Sequence, residues 1–138
     1  MHRKIFLDTN PIIYLLENRF PYATKVRDFI VNGLDAEAEF YTSTITDAEF
    51  LVRPYIVNDI KGISAYKGFL DDLNVLKCFI TDEIAEIAAR IRAKYPSIKL
   101  GDSIQLAASI DCNCDAFFTN DRQLKQVAEI NCVLVDEL

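Results

Sequence analysis

The stretch Lys4-Ile5-Phe6-Leu7-Asp8-Thr9-Asn10-Pro11 decides how the rest of the chain is read. Ile5, Phe6 and Leu7 form a short, wholly apolar run, the pattern of a strand buried on both faces. The run stops at a carboxylate, Asp8. Asn10 and Pro11 then open a helix, because Asn is a favoured N-cap and Pro fits a first helical position whose N–H needs no partner. Asp8 is thereby expected at the carboxyl end of a buried strand, facing a helix N-terminus. In open α/β sheets that is where sites form.

Working outward, residues 11–18 are predicted as a short helix with Ile12, Ile13, Leu15 and Leu16 turned inward. A break follows at Phe20-Pro21. Residues 23–34 carry Val26, Phe29, Ile30 and Leu34 at helical spacing, and Asn32-Gly33 marks the end. A β-prone strand is expected at 39–43. Thr46 and Glu49 have the spacing of a capping box and open a helix over 46–58 that Pro54 should kink or end. Residues 59–73 form a helix weakened by Gly62 and Gly68, and 75–79 a third strand. Over 82–95 the stripe Ile84, Ile87, Ala88, Ile91 and Tyr95 marks a strong helix, with Glu86, Arg90 and Lys94 as a ladder on its wet side. A second strong helix covers 101–112, then a buried strand 116–119, a helix 121–128 and a last strand 132–135. Strands alternating with helices imply an α/β fold: a central, mostly parallel sheet of four to five short strands with helices on both faces. Right-handed crossovers place successive strand ends along one edge.

The 138 residues suit a single domain, 1–138, and at that size roughly 68% of the unfolded chain's surface can be buried. With 51% hydrophobic and 26% charged residues the chain reads as globular. Met1-His2-Arg3-Lys4 resembles the basic start of a signal peptide, but Asp8 cuts the apolar run short. No run is long enough to span a membrane, so no membrane partner is expected and the cytoplasm is the expected compartment. The four cysteines form no C-x-x-C pair, and His2 is the sole histidine. Buried reduced thiols are therefore expected rather than a zinc site. A net charge of −6 argues against broad electrostatic binding of nucleic acid. It leaves room for a nucleic-acid enzyme whose acids are neutralised by metal, and for a basic protein partner.

Histidine acid–base chemistry and Ser-His triads have no support, and no phosphate-cradling glycine motif is present. Carboxylates remain, and clustered carboxylates hold hard divalent cations. Asp8 and Asp121 each follow an apolar strand; Glu49 and Asp102 lie in first turns of helices. Singly, each has a plain capping explanation: Glu49 in its capping box, Asp102 with Gln105 three residues on, Asp8 and Asp121 at helix N-termini. Jointly, four acids around one sheet edge repel one another unless a cation offsets the repulsion.

The segments Ile5-Phe6-Leu7-Asp8-Thr9-Asn10, Thr46-Asp47-Ala48-Glu49, Leu100-Gly101-Asp102-Ser103 and Phe118-Thr119-Asn120-Asp121 resemble, in order and spacing, the motifs of PIN-domain ribonucleases. The length and layout look most like the VapC-type toxins of toxin–antitoxin pairs. The resemblance covers nearly the whole chain and implies a PIN-like fold with Mg²⁺- or Mn²⁺-dependent cleavage of RNA. It further implies a homodimer and an antitoxin whose C-terminal segment enters the acidic pocket. Carried over, Asp8, Glu49, Asp102 and Asp121 would ligate the metal, and Asn10 and Thr119 would hydrogen-bond to those ligands or to water.

Lys99, beside Asp102, and Arg122 are candidate phosphate contacts. Arg53, Arg90, Arg92 and Lys94 could flank the pocket, with Arg90 and Lys94 better read as a solvated helix face. Tyr14, Tyr55 and Tyr66 could stack on bases but are better read as core or interface residues. Three other readings compete. A phosphatase of the haloacid dehalogenase type wants D-x-D-x-T after its first strand, where this chain has Asn10 and Ile12. A PIN fold used only for binding would not need all four acids. A DNA flap nuclease would need duplex-gripping elements for which the chain lacks room.

Overall fold

The computed structural model describes residues 2–138; Met1, the first residue of the basic start considered above, lies outside them. Five strands form one sheet: β1 (Lys4–Leu7), β2 (Glu39–Ser43), β3 (Leu76–Cys78), β4 (Ala116–Thr119) and β5 (Cys132–Leu134), in the order β3-β2-β1-β4-β5. Every pairing is parallel, with Phe6 opposite both Tyr41 and Phe117. The helices are α1 (Thr9–Leu16), α2 (Tyr22–Asp35), α3 (Thr44–Phe50), α4 (Val52–Ile56), α5 (Ile60–Asp72), α6 (Asp82–Lys94) and α7 (Leu100–Asp111).

Side-chain alternation along the strands divides the core in two. Phe6, Tyr41, Phe117 and Cys132 face α6 and α7, where Ile84, Ala88, Ile91 and Leu106 meet them. Ile5, Leu7, Phe40, Ala116 and Phe118 face α1, α2 and α5, where Ile12, Val26, Ile30, Tyr66 and Leu70 meet them. Phe6 stacks on Phe117 with ring centroids 5.3 Å apart, so the two central strands are locked side chain to side chain as well as by their ladder. The chain crosses from β1 to β2 on one side of the sheet and later returns to β4 on the other. The switch point therefore falls between β1 and β4, the two strands whose carboxyl ends carry Asp8 and Asp121.

Several local expectations change. Helix α1 starts at Thr9, with Asp8 rather than Asn10 as its N-cap, which moves Pro11 to the third helical position, still free of an intrahelical donor duty. Helix α2 runs through Asn32-Gly33 to Asp35. Gly33 is there for space: a Cβ on it would stand 2.8 Å from the Phe40 ring. Helix α3 is capped by Ser43, whose hydroxyl accepts from the Ile45 N–H, so Thr46 and Glu49 do not form a capping box. The chain breaks at Leu51 and restarts as α4, as Pro54 demands by removing a bond to the preceding turn. Residues 122–126 form a 3-10 turn instead of an α-helix. Cys78 and Cys112 pair as a disulfide, so the expectation of reduced thiols holds for the buried Cys114 and Cys132 only. Among the described residues no helix is long and apolar enough to cross a membrane.

Candidate active site

Asp8 is positioned by the sheet itself. Its N–H donates to the Phe118 carbonyl (2.9 Å), continuing the β1–β4 ladder by one residue. The side chain is 5% exposed. One carboxylate oxygen accepts from the Thr9 N–H at 2.8 Å, the capping bond of α1. The other accepts from the Thr119 hydroxyl at 2.7 Å, across the switch point. Even so, the Asp8 pKa is pushed up to about 7: burial is the largest cause, the Thr119 and Thr9 bonds oppose it, and the charges of Asp102 and Glu49 add to it.

Glu49 reaches the same edge from the last turn of α3. Its carboxylate accepts from the Thr9 hydroxyl at 2.6 Å, so Thr9 alone bonds to two acids, Asp8 through its N–H and Glu49 through its hydroxyl. Asp102 lies in the first turn of α7, and half-burial, then Asp121 and Glu49, raise its pKa while Lys99 lowers it. A Cβ on Gly101 would lie 3.9 Å from the Glu49 carboxylate, which shows how closely the starts of α7 and the end of α3 approach. Asp121 follows β4; its N–H donates to the Thr119 hydroxyl (3.1 Å) and one of its oxygens caps the 3-10 turn through Gln123 N–H (3.0 Å).

The structure thus brings Asp8, Glu49 and Asp102 within reach of one another's fields, and Asp121 within reach of that of Asp102. Among the described residues none of the four is in an ion pair. Nor are any three acidic, cysteine or histidine side chains there gathered into a ready-made cage for an ion. The donor chemistry nonetheless suits a hard divalent cation: all the candidate donors are carboxylate oxygens, and the most buried of them is in no ion pair among the described residues.

Thr119 is buried and bonds directly to Asp8, whereas Asn10 is exposed near the start of α1. Lys99 caps the start of α7 with its backbone and is exposed; Arg122 is exposed, and its charge acts on Glu137 in the C-terminal turn. Lys94 pairs with Glu129 at 3.4 Å on the solvated face of α6. Tyr66 is core, stacked on Phe50, and Tyr14 stacks on Tyr22 beside Asn120. Ile12, where the phosphatase pattern needs a hydroxyl, is packed in the core.

Two features escaped the sequence. Thr9 was the residue between two motif positions, and only the fold brings Glu49 to it. Gln105, expected to cap α7 with Asp102, instead bonds to Ser43 and Thr46. The motif Thr46-Asp47-Ala48-Glu49 also divides its acids: Asp47 accepts from the Tyr66 hydroxyl (2.7 Å) and pairs with Lys77 (2.8 Å), tying α3 to α5 and β3.

Known proteins bear on this arrangement. No curated protein matches the sequence. Among solved structures, a chain of VapBC2 from Rickettsia felis bound to a promoter DNA fragment superposes with a TM-score of 0.79 at 16% identity, over 95% of this chain and 98% of that one. FitAcB from Neisseria gonorrhoeae gives 0.69 at 24% identity, over 97% and 99%. VapC20 of Mycobacterium tuberculosis, described as a sarcin–ricin loop cleaving toxin, gives 0.69 at 15%, over 92% and 98%. At these identities the likeness is one of fold. Residues 5–130 match the PIN domain family, and the chain belongs to it.

Proposed function

We propose that this protein is a single-domain, divalent-metal-dependent endoribonuclease and the toxin of a toxin–antitoxin pair. The observation that carries this reading is the Asp8 carboxylate: buried at the tip of β1, in no ion pair among the described residues, and in the fields of Asp102 and Glu49. Arrangements of that kind are costly unless they serve a ligand.

In this reading Asp8, Glu49, Asp102 and Asp121 hold Mg²⁺ or Mn²⁺. When bound, the ion supplies charge for a phosphodiester and a more acidic water. The protein's own part is positioning. The Thr9 N–H and the Thr119 hydroxyl fix both oxygens of Asp8, and the Thr9 hydroxyl fixes Glu49. Asn10 hydrogen-bonds to ligands or water at the open side, and Lys99 and Arg122 hold phosphates.

The partners follow the same line. A Klebsiella pneumoniae structure of like fold is a toxin–antitoxin complex, and VapBC-5 of Mycobacterium tuberculosis is a member of the VapBC family of toxin–antitoxin systems, which supports a cognate antitoxin here. Val52, Tyr55, Ile56, Val57 and Ile60 are exposed along α4 and the start of α5, an apolar surface suited to a protein partner. A homodimer acting in the cytoplasm completes the proposal.

The test is RNA cleavage by purified protein with Mg²⁺, with Mn²⁺ and with EDTA, for the parent and for Asp8→Asn. The parent should cut only with metal, and the variant should lose cleavage by more than a hundredfold while keeping its circular dichroism. Equal cutting by parent and variant would overturn the assignment. The spread of the four carboxylates favours one second reading, a PIN fold that binds without cutting. An inert parent that still binds its partner would decide for it.

A further inference from the structure

Gln105 is 1% exposed, in the middle of α7, and both ends of its amide are used. Its oxygen accepts from the Ser43 hydroxyl, and its nitrogen donates to the Thr46 hydroxyl at 2.7 Å. Ser43 is the N-cap of α3, and Thr46 lies one turn before Glu49. The Thr46 hydroxyl is 2.8 Å from that of Thr42, which donates to the Leu7 carbonyl at 2.9 Å. Leu7 is the residue before Asp8. One buried chain of hydrogen bonds thus runs from the tip of β1, through β2 and α3, into α7, and each of the first, third and fourth elements carries one of the acids. All of its members are buried, and each hydroxyl has a partner, so the chain admits one arrangement.

We propose that Gln105 is a positioning residue, whose amide sets the separation of α3 and α7 and with it the distance over which Glu49 and Asp102 share a divalent ion. This rests on the metal-dependent reading above. The residue type is constrained by the geometry: one end must accept and the other must donate, which an amide does and a carboxylate or an alkyl chain does not. Gln105 lies three residues beyond Asp102, one helical turn deeper, so a shift of α7 at Gln105 is transmitted to Asp102 along a rigid backbone. It touches no substrate. Its loss should therefore reduce metal affinity and kcat and leave the KM for RNA unchanged.

The test measures Mn²⁺ affinity by electron paramagnetic resonance, without RNA, for the parent, Gln105→Met and Ile91→Val. Methionine keeps the volume and removes both hydrogen bonds. Ile91→Val weakens α6 packing without touching the chain of bonds. Gln105→Met should bind Mn²⁺ about 10- to 100-fold more weakly, as loss of such supporting groups does elsewhere, whereas Ile91→Val should bind like the parent. Should Gln105→Met not fold, Thr46→Val removes the other arm without touching the α3 cap and is expected to show part of the effect. A folded Gln105→Met, or in its place Thr46→Val, that binds within twofold of the parent overturns the inference and leaves the ribonuclease reading standing. A parent that binds no Mn²⁺ overturns both.

Discussion

At Asp8, burial raises the pKa, two hydrogen bonds lower it, and two acid neighbours raise it again, with burial dominant. An acid whose pKa is higher folded than unfolded binds more protons in the native state between the two values. Stability then falls as pH rises through that window, here from about 4 to about 7, and is level above it. A shift of about three units at ~1.4 kcal/mol each makes the full effect ~4 kcal/mol. Asp8→Asn removes the charge and keeps the shape, so it should be more stable than the parent at pH 8, by roughly 2–4 kcal/mol. The gain should vanish near pH 4. Denaturant midpoints at the two pH values check it, and equal midpoints at pH 8 would contradict the uncompensated charge. At this scale the four acids were legible as candidates, because few other residue types could do chemistry and each stood after a strand or near a helix start. Thr9 and Gln105 were not, because their partners lie 40 residues away in one case and 62 and 59 in the other. Hydrogen bonds of that span leave no local pattern.

Element boundaries moved wherever a side chain capped differently from its expected role. Asp8 took the cap of α1 from Asn10, and Ser43 took that of α3 from Thr46. The first leaves Asn10 exposed, and the second leaves Glu49 to bond with Thr9. The helical periodicity itself was legible, since the buried positions Ile84, Ala88 and Ile91 of α6 fall on the expected stripe. Glycines show why local propensity misleads. Gly33 and Gly68 both lie inside helices, where alanine is the better helix former by ~1 kcal/mol. At Gly68 nothing lies within 4 Å of an added Cβ, so Gly68→Ala should stabilise by about that amount. At Gly33 the Cβ would meet the buried Phe40 ring, so Gly33→Ala should destabilise by roughly 1–3 kcal/mol. Opposite shifts in Tm are the expected outcome, and a stabilised Gly33→Ala would mean that Phe40 yields freely.

Across the whole molecule, a parallel sheet with its strand ends along one edge could be inferred from alternating strands and helices, but the strand order could not. The order puts β1 beside β4, and with it Asp8 beside Thr119, residues 111 apart in sequence. The edge they share concentrates negative charge that only Lys99, at Asp102, offsets among the described residues, and through no ion pair, so a cation bound there links to global stability. Binding to the folded state alone stabilises by RT ln(1 + [L]/Kd), about 2.7 kcal/mol at a hundredfold excess over Kd. For a chain of this size that is a rise in Tm of roughly 5–15 °C. Protons compete with the ion for Asp8, so the rise should grow between pH 5 and pH 8, the direction opposite to that of the metal-free protein's own stability. Mn²⁺ titrations followed by thermal unfolding at both pH values give the comparison, with Ca²⁺ as a second cation. Asp8→Asn and Asp102→Asn should each flatten the response. A Tm unmoved by millimolar Mn²⁺ at pH 8 would mean that the acids converge without holding an ion, and that repulsion at this edge is simply tolerated.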